Sequence, residues 1–245
     1  MGHHRPRVHP VTLTDLLART RCLLIDFDGP ICSVFAGHPA TTVADELRMV
    51  IRRRFGGELP PAIAGLDADP LQILIAVARL DDERLTREVA DAGRDAEVTA
   101  AETAAPTAGA DEVLRAARDK GRQVAIVSNN ANAAIRAYLH NHDLARYIDG
   151  IVARYDGMDP RLLKPHPFLL ERGLAGMNAT PMTTAFIGDS VTDIEAGRAA
   201  GIPTIGYANK PGKRQRLTNA GADIVIDSMH ELTEALHKTE TRPAR

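Results

Sequence analysis

The chain has 245 residues and a formal net charge of −2 at pH 7. This length allows one substantial core and a small inserted module, and the charge offers no basic face for nucleic acid. The two cysteines suggest no disulfide framework, no apolar run reaches the length of a membrane span, and residues 1–10 lack the apolar segment of a signal peptide. We therefore expect a cytoplasmic protein without a membrane partner, with residues 1–10 as a loose tail.

The first predicted strand is the apolar run at 22–25, which leads into Asp26, Phe27, Asp28 and Gly29. A short apolar run of this kind is typical of a buried parallel strand. Strand alternation places the two aspartates on the same side of the chain. Taken alone, the pair also fits an ordinary turn, because turns collect Asp and Gly. Two carboxylates that close otherwise need a cation between them or a proton on one of them.

A helical pattern runs through residues 35–106, and no predicted strand interrupts it. Apolar residues recur on one helix face over 43–55. Asp69 is placed to cap a second helix that has Pro70 at its first position, and the acidic residues at 81–83 suit the start of a third. The pattern predicts an all-helical insertion.

Strands and helices alternate after residue 106. Strands are predicted at 123–127, near 151, and at 184–188, 203–206 and 223–226, with helices near 109–120, 131–141, 191–200 and 211–220 and from about 229. Repeated units of this kind indicate a parallel sheet with helices on both faces. We predict an α/β fold with a Rossmann-like core formed by 11–34 and 107–236, a helical cap at 35–106, and a frayed tail at 237–245.

Two segments of the predicted core carry groups that would bind an anion. Ser128 and Asn129 follow the strand at 123–127, where a hydroxyl, an amide and N–H groups precede a helix. Lys164 stands before Pro165, which is suited to the first position of a helix. A lysine is usually a solvated surface charge, but this chain has only five lysines against 25 arginines. We therefore interpret Lys164 as a functional residue.

A second acidic strand end follows the predicted strand at 184–188. Asp189 comes directly after this strand, and Asp193 lies four residues further on, at the start of a helix. Ser190 and Asp193 also fit a simple helix cap. Four carboxylates at two strand ends are harder to explain as caps, because their mutual repulsion favours a bound cation such as Mg²⁺.

Together, Asp-x-Asp-Gly, Ser-Asn, Lys-Pro and Gly-Asp-Ser-x-x-Asp resemble, in this order, the haloacid dehalogenase superfamily of phosphohydrolases, over about residues 20–230. The position of the cap resembles the phosphoglycolate phosphatase and beta-phosphoglucomutase-like group. The resemblance implies that Asp26 is a nucleophile that forms an aspartyl-phosphate, and that Asp28 is the general acid and then the base. It implies a Mg²⁺ site made by Asp26, the Asp28 backbone carbonyl, Asp189 and Asp193. The phosphate-binding residues it implies are Gly29, Ser128, Asn129 and Lys164.

The chain departs from the common family pattern at Pro30, which follows the first motif, where Thr or Val is usual. Because proline fixes φ and removes an N–H, we expect an altered flap geometry and no loss of the nucleophile. Cys32 is interpreted as a packing residue. Phe35 and His38, just past the flap, are candidates for substrate contact.

Hydrolysis of a small phosphorylated metabolite is the main hypothesis. A phosphomutase or phosphotransferase shares every residue named and stays open, as does a non-catalytic binding module on an inherited fold. Phosphonatases of the family use a lysine in the cap to form a Schiff base with an aldehyde. Because residues 36–106 contain no lysine, this chemistry is disfavoured. Dehalogenase chemistry is disfavoured because related dehalogenases lack the second aspartate and the metal, whereas this chain keeps Asp28, Asp189 and Asp193. The sequence specifies neither the substrate nor the oligomeric state.

Overall fold

A computed structural model describes residues 11–240. The tail expected at 1–10 and the last five residues of the tail expected at 237–245 lie outside the described residues. The strands, in chain order, are β1 (Cys22–Ile25), β2 (Cys32–Ser33), β3 (Ala105–Pro106), β4 (Gln123–Ala131), β5 (Gly150–Arg154), β6 (Thr184–Gly188), β7 (Thr204–Tyr207) and β8 (Ile224–Ile226). Six of them form one sheet in the order β5-β4-β1-β6-β7-β8, and every pairing in it is parallel. The short strands β2 and β3 pair antiparallel beside it.

The helices flank this sheet or lie in the insertion between β2 and β3. They are α1 (Leu13–Arg19), α2 (Ala40–Arg54), α3 (Pro61–Ala64), α4 (Pro70–Ala78), α5 (Glu83–Glu102), α6 (Ala110–Asp119), α7 (Asn132–Asn141), α8 (Phe168–Gly176), α9 (Val191–Ala199), α10 (Lys213–Ala220) and α11 (Met229–His237). The predicted α/β fold is confirmed, with a parallel Rossmann-like sheet and helices. In residues 11–240, no helix combines the length and apolar character needed to cross a membrane.

The central strand β1 forms because its four residues are apolar and completely buried. It lies between β4 and β6, so both of its edges are paired. A strand buried on both faces reads as a continuous apolar run, which explains why the sequence predicts it well. The C-terminal ends of β1, β4 and β6 meet at one edge of the sheet, and this edge positions the site.

Helices α2 to α5 occupy the segment predicted to be the cap. The Asp69 carboxylate accepts hydrogen bonds from the N–H groups of Leu71 and Gln72, as expected for the cap of α4. Buried residues of these helices, including Leu47 and Val77, belong to the same hydrophobic cluster as Val127 of β4. The insertion therefore packs continuously onto one face of the sheet.

Two local predictions in the core differ from the structure. Pro165 does not begin a helix: α8 begins at Phe168, after the N-cap Pro167. Residues 163–166 form a turn instead, in which the His166 N–H donates to the Leu163 carbonyl. Strand β4 does not end at 127 but continues to Ala131 through an irregularity in its pairing with β5.

The described part of the expected tail at 237–245 is packed against the core and not frayed. Residue His237 is still in α11, and Thr239 is buried. The Thr239 hydroxyl accepts a hydrogen bond from Arg122 at 3.0 Å, and its carbonyl accepts one from Lys120 at 2.7 Å. These two basic side chains hold the chain against the core beyond the last helix.

Candidate active site

Asp26 follows β1 directly and lies at the edge of the sheet where the parallel strands end. Its backbone N–H donates to the Ile187 carbonyl of β6 at 2.8 Å, which continues the strand pairing. One oxygen of its carboxylate, Oδ1, accepts the N–H of Phe27 at 2.8 Å. The side chain is therefore fixed at the point where open α/β sheets place their ligands.

Lys164 contacts two of the predicted acidic residues at once. Its Nζ atom lies 2.9 Å from Oδ1 of Asp26 and 2.6 Å from Oδ1 of Asp193, and it donates to the Val127 carbonyl at 3.2 Å. The residue is only 3% exposed. Burial alone would lower the pKa of Lys164, but the carboxylates of Asp193 and Asp26 outweigh it and hold that pKa above its ordinary value.

Asp193 caps α9 and also belongs to the acidic cluster. Its Oδ2 accepts hydrogen bonds from the Ser190 N–H at 3.0 Å and from the Ser190 hydroxyl at 2.6 Å. The Ser190 hydroxyl accepts the Asp193 N–H in return, completing a capping box. The carboxylate thus uses one oxygen for the helix and turns Oδ1 to Lys164. The helix-cap interpretation is confirmed, and the metal role of Asp193 stays a prediction.

Asp189 is held by two residues that the sequence analysis did not select. Its Oδ2 accepts a hydrogen bond from Asn209 Nδ2 at 3.1 Å and forms an ion pair with Lys213. Asn209 lies in the loop after β7, and Lys213 is the first residue of α10. The rarity of lysine that singled out Lys164 would have flagged Lys213 as well. Asn209 carries no comparable signal.

Three of the acidic residues lie close enough together to hold a divalent metal. Asp26, Asp189 and Asp193 each offer one oxygen, and these atoms all lie within 4.8 Å of one another. A side chain at Gly29 would overlap the Asp189 carboxylate, so only glycine leaves room for it there. Carboxylate oxygens are the donors that Mg²⁺ prefers, so the residues present fit such an ion. In the absence of a metal, burial and the Asp193 charge raise the pKa of Asp26 to about 7, against the opposing effect of Lys164.

Asp28 does not belong to the group formed by Asp26, Asp189 and Asp193, and its carboxylate has a different environment. Its Oδ1 accepts the Val34 N–H at 3.0 Å, which ties the side chain to the start of the insertion. Burial raises the pKa of Asp28 to about 6, although the Val34 hydrogen bond opposes this and Asp189 adds to it. The carboxyl group therefore exchanges a proton close to neutral pH.

The structure brings Asn129 and Lys164 together. The Asn129 side chain accepts the Lys164 N–H at 2.8 Å and donates to the Lys164 carbonyl at 3.1 Å. This amide therefore positions the lysine backbone. The buried Ser128 hydroxyl donates to Asn130 Oδ1 at 3.1 Å and accepts the Asn130 N–H at 3.3 Å.

Gly29 differs from the role expected for it. Its N–H donates to the Cys32 carbonyl at 2.7 Å, so that group closes the turn in this structure and is not directed at an anion. The residue has φ of 103°, a conformation that favours glycine. Its carbonyl accepts a 2.5 Å hydrogen bond from Thr107, another contact that the sequence analysis missed. Gly29 serves the site mainly through its backbone conformation and the space it leaves for Asp189.

The remaining candidates lie around the flap. Cys32 is completely buried, as predicted for a packing residue, and burial raises the pKa of its thiol well above the ordinary range. Phe35 is partly buried and packs against two hydrophobic clusters of the core, one that contains Ile31 and one that contains Leu47. His38 lies with Nε2 3.9 Å from Glu46 of α2. Neither Phe35 nor His38 makes a polar contact with the acidic cluster in the described residues.

A family model described as haloacid dehalogenase-like hydrolase matches residues 20–201. Phosphoglycolate phosphatase from Salmonella paratyphi A is 28% identical over 198 residues, which cover 80% of this chain and 71% of the relative. Phosphoglycolate phosphatase from Escherichia coli O157:H7 is also 28% identical over the same shares of the two chains.

Solved structures with the same fold include a predicted phosphatase from Clostridium acetobutylicum. It superposes with a TM-score of 0.70 at 20% identity, covering 89% of this chain and 99% of its own. A beta-phosphoglucomutase from Clostridium difficile gives a TM-score of 0.63 at 16% identity, over 89% of this chain and 98% of its own. At these identities the likeness concerns the fold.

Proposed function

This chain belongs to the haloacid dehalogenase-like hydrolases and is a phosphoric monoester hydrolase of that family, and we propose that it is Mg²⁺-dependent and works through an aspartyl-phosphate on Asp26. The observation that carries this proposal is the contact of Lys164 with both Asp26 and Asp193 at the end of three parallel strands. It joins a nucleophile, a cation and the acidic cluster in one buried site.

Asp26 is proposed as the nucleophile because its position and orientation are fixed. The Phe27 N–H and Lys164 both contact Oδ1. In residues 11–240, no hydrogen bond engages Oδ2, so this oxygen is the one available to attack phosphorus. Bound Mg²⁺ would supply positive charge that keeps the carboxylate ionised and offsets negative charge on the phosphoryl oxygens. Asp26, Asp189 and Asp193 would hold it, with the backbone carbonyl of Asp28.

Asp28 is proposed as the general acid and then the general base. As Asp26 attacks phosphorus, the bond to the leaving oxygen breaks, and that oxygen takes the proton of Asp28. The Asp28 carboxylate then accepts a proton from water, whose oxygen attacks the phosphorus of the aspartyl-phosphate. Inorganic phosphate leaves, Asp26 is restored and Asp28 again carries a proton. A pKa of about 6 suits both steps, because each protonation state is accessible near neutral pH.

The phosphoryl oxygens are proposed to contact Ser128, the backbone at Asn129, and Lys164. The ammonium of Lys164 has two anionic neighbours and remains charged when buried, which suits it to a transferring phosphoryl group. We further propose that residues 35–106 act as a cap that excludes water and selects the leaving group, with Phe35 and His38 near the entrance. The substrate is a small phosphorylated metabolite.

The first experiment is hydrolysis of an aryl phosphate with and without Mg²⁺, by wild type and by Asp26→Asn. Release of phosphate that requires both the metal and Asp26 is expected. Equal release by Asp26→Asn would exclude the aspartyl-phosphate. A panel of phosphorylated metabolites that includes phosphoglycolate, which the relatives' names suggest, would then identify the substrate. A phosphomutase would instead convert a sugar phosphate to its isomer and release little free phosphate.

A further inference from the structure

The strand that carries Ser128 and Asn129 is irregular at that point. In the pairing of β4 with β5, Ser128 is opposite Ala153 and Ala131 is opposite Arg154, so residues 129 and 130 have no partner in the ladder. Such a bulge redirects side chains and is frequent beside active sites. It also removes the regular strand pairing that would fix the backbone. Other contacts must then hold this loop in one conformation.

A buried ion pair supplies these contacts from outside the loop. The guanidinium of Arg154 donates from Nε to the Asn129 carbonyl at 3.2 Å. The carboxylate of Glu97 accepts the Ala131 N–H at 2.6 Å and Arg154 Nη2 at 2.8 Å. Arg154 thus holds the carbonyl of Asn129, and Glu97 holds the N–H of Ala131. The two contacts lie at opposite ends of the bulge.

The pair also connects the loop to the insertion. Glu97 lies on α5, and Arg154 Nη1 donates to the carbonyl of Ala90 on the same helix at 3.3 Å. Glu97 and Arg154 are 1% and 5% exposed. A buried ion pair is weak evidence of stabilisation, because desolvation offsets much of the attraction. Positioning a loop is a role that does not depend on net stabilisation.

We propose that Glu97 and Arg154 are positioning residues that fix the phosphate-binding loop at 128–131 and make its geometry depend on the seating of α5. This inference rests on the proposed function, because it assumes that the loop binds the phosphoryl oxygens. The insertion then contributes to phosphate binding through its C-terminal helix, in addition to any contact with the leaving group.

The test is inhibition by inorganic phosphate in the Mg²⁺-loaded enzyme, compared between wild type and Glu97→Gln. The variant keeps the size of the side chain but loses its charge. We expect phosphate to bind roughly tenfold more weakly, as is common when a residue that orients a ligand-binding group is changed. Mg²⁺ affinity should change less than twofold, because the three carboxylates that would hold the metal follow β1 and β6.

A matched control is Arg122→Gln. Arg122 is also a buried arginine whose side chain holds backbone, because it donates to the Thr20 carbonyl at 2.6 Å. It directly precedes β4 and therefore lies at the N-terminal end of the strands, opposite to the site. We expect this variant to lose stability and to keep its phosphate affinity. If Glu97→Gln loses stability in the same way with unchanged phosphate inhibition, the pair is structural only and the inference is wrong.

A double variant covers the case in which Glu97→Gln folds poorly. Replacing both partners by Met removes the unpaired buried charge, which often restores stability. We expect Glu97→Met/Arg154→Met to be more stable than Glu97→Met alone, yet to bind phosphate as weakly as Glu97→Gln does. Wild-type phosphate affinity in the double variant would overturn the inference. A wild-type enzyme that neither binds phosphate nor hydrolyses any phosphomonoester would instead overturn the proposed function.

Discussion

Lys164 and Asp193 form a buried ion pair, with Nζ 2.6 Å from Oδ1 and side chains that are 2% and 1% exposed. The first belongs to the loop before α8 and the second to the first turn of α9, so the pair joins two separate segments of the core. Without Lys164, the carboxylates of Asp26 and Asp193 would face each other in a site with little solvent.

We therefore expect Lys164→Met to lower the free energy of unfolding of the metal-free protein at pH 7.5 by about 3 kcal/mol, the usual cost of removing one partner of a buried pair. Urea unfolding measures this, and added Mg²⁺ should recover part of the loss. The exposed Lys238→Met serves as a control with the same change of charge. A loss no larger than in that control would contradict a structural role for the pair.

The general acid can be tested by Asp28→Asn. The variant keeps the size of the side chain and leaves the backbone carbonyl in place, but it cannot transfer the proton. We expect kcat to fall by roughly 100-fold to 10,000-fold, while Mg²⁺ affinity measured by calorimetry stays within a few-fold of wild type. Near-normal turnover would refute the proposed acid and base role.

The pKa of Asp26 gives the metal-free protein a specific dependence on pH. Burial raises this pKa from 3.8 to about 7, so the folded state binds a proton that the unfolded state releases. The stabilisation from this proton is complete below about pH 4 and is lost as the pH rises through about 7. Unfolding free energies of wild type minus Asp26→Asn, measured from pH 4 to 8, should fall across this window. Saturating Mg²⁺ should abolish the decline, and a rising difference would contradict the assignment.

Gly29 can be compared with Gly157, because both have positive φ, 103° and 79°. A Cβ at Gly29 would overlap the Asp189 carboxylate, whereas one at Gly157 would meet nothing within 4 Å. Both alanine variants should lose roughly 1 kcal/mol or more through backbone strain. Only Gly29→Ala should also lose Mg²⁺ binding and activity. Equal Mg²⁺ affinity in the two variants would show that the space beside Asp189 is not required.

Lys213 places a positive charge on a carboxylate that the metal would use. We expect Lys213→Met to bind Mg²⁺ roughly tenfold more tightly, because one repelling charge is removed at short range. Calorimetry with the exposed Lys238→Met as the control separates this from a general change in surface charge. Weaker Mg²⁺ binding would mean that Lys213 acts mainly by orienting Asp189.

Much of this fold could be predicted because its signals are local. The strand β1 and the strand β6 are short apolar runs whose bounds the structure reproduces, and Asp69 has the side chain and the following proline of a helix start. The bulge in β4 could not be predicted. The polar residues that follow the apolar run at 124–127 look like the end of a strand, although the strand continues to Ala131. The helix start predicted at Pro165 was wrong, because the prediction used only the preference of proline for a first helical turn. In the structure Pro165 lies in the turn closed by Leu163 and His166, and α8 begins at Phe168.

The acidic residues of the site were predictable because each follows a predicted strand. The rarity of lysine also singled out Lys164, which pairs with two of them. The residues that hold the loop at 128–131 were not predictable. Glu97 is one of several charged residues on α5, and Arg154 simply ends a strand, so neither carries a sequence signal. Their proximity depends on how α5 packs against the sheet beside β4 and β5, because Glu97 and Arg154 are 57 residues apart in the chain.

The order of the strands has a consequence for synthesis of the chain. Among the described strands β1 is the first to be made, and within residues 11–240 its partners are β4 and β6, which begin about 100 and 160 residues later. During translation both edges of β1 therefore stay unpaired until β4 and β6 have been made. The residues around Asp26 can assemble only after Asp193 has been synthesised. Such non-local pairing is slow to form, and unpaired edges invite association with other chains. Nascent chains that stop before Thr184 therefore leave one edge of β1 without its partner strand.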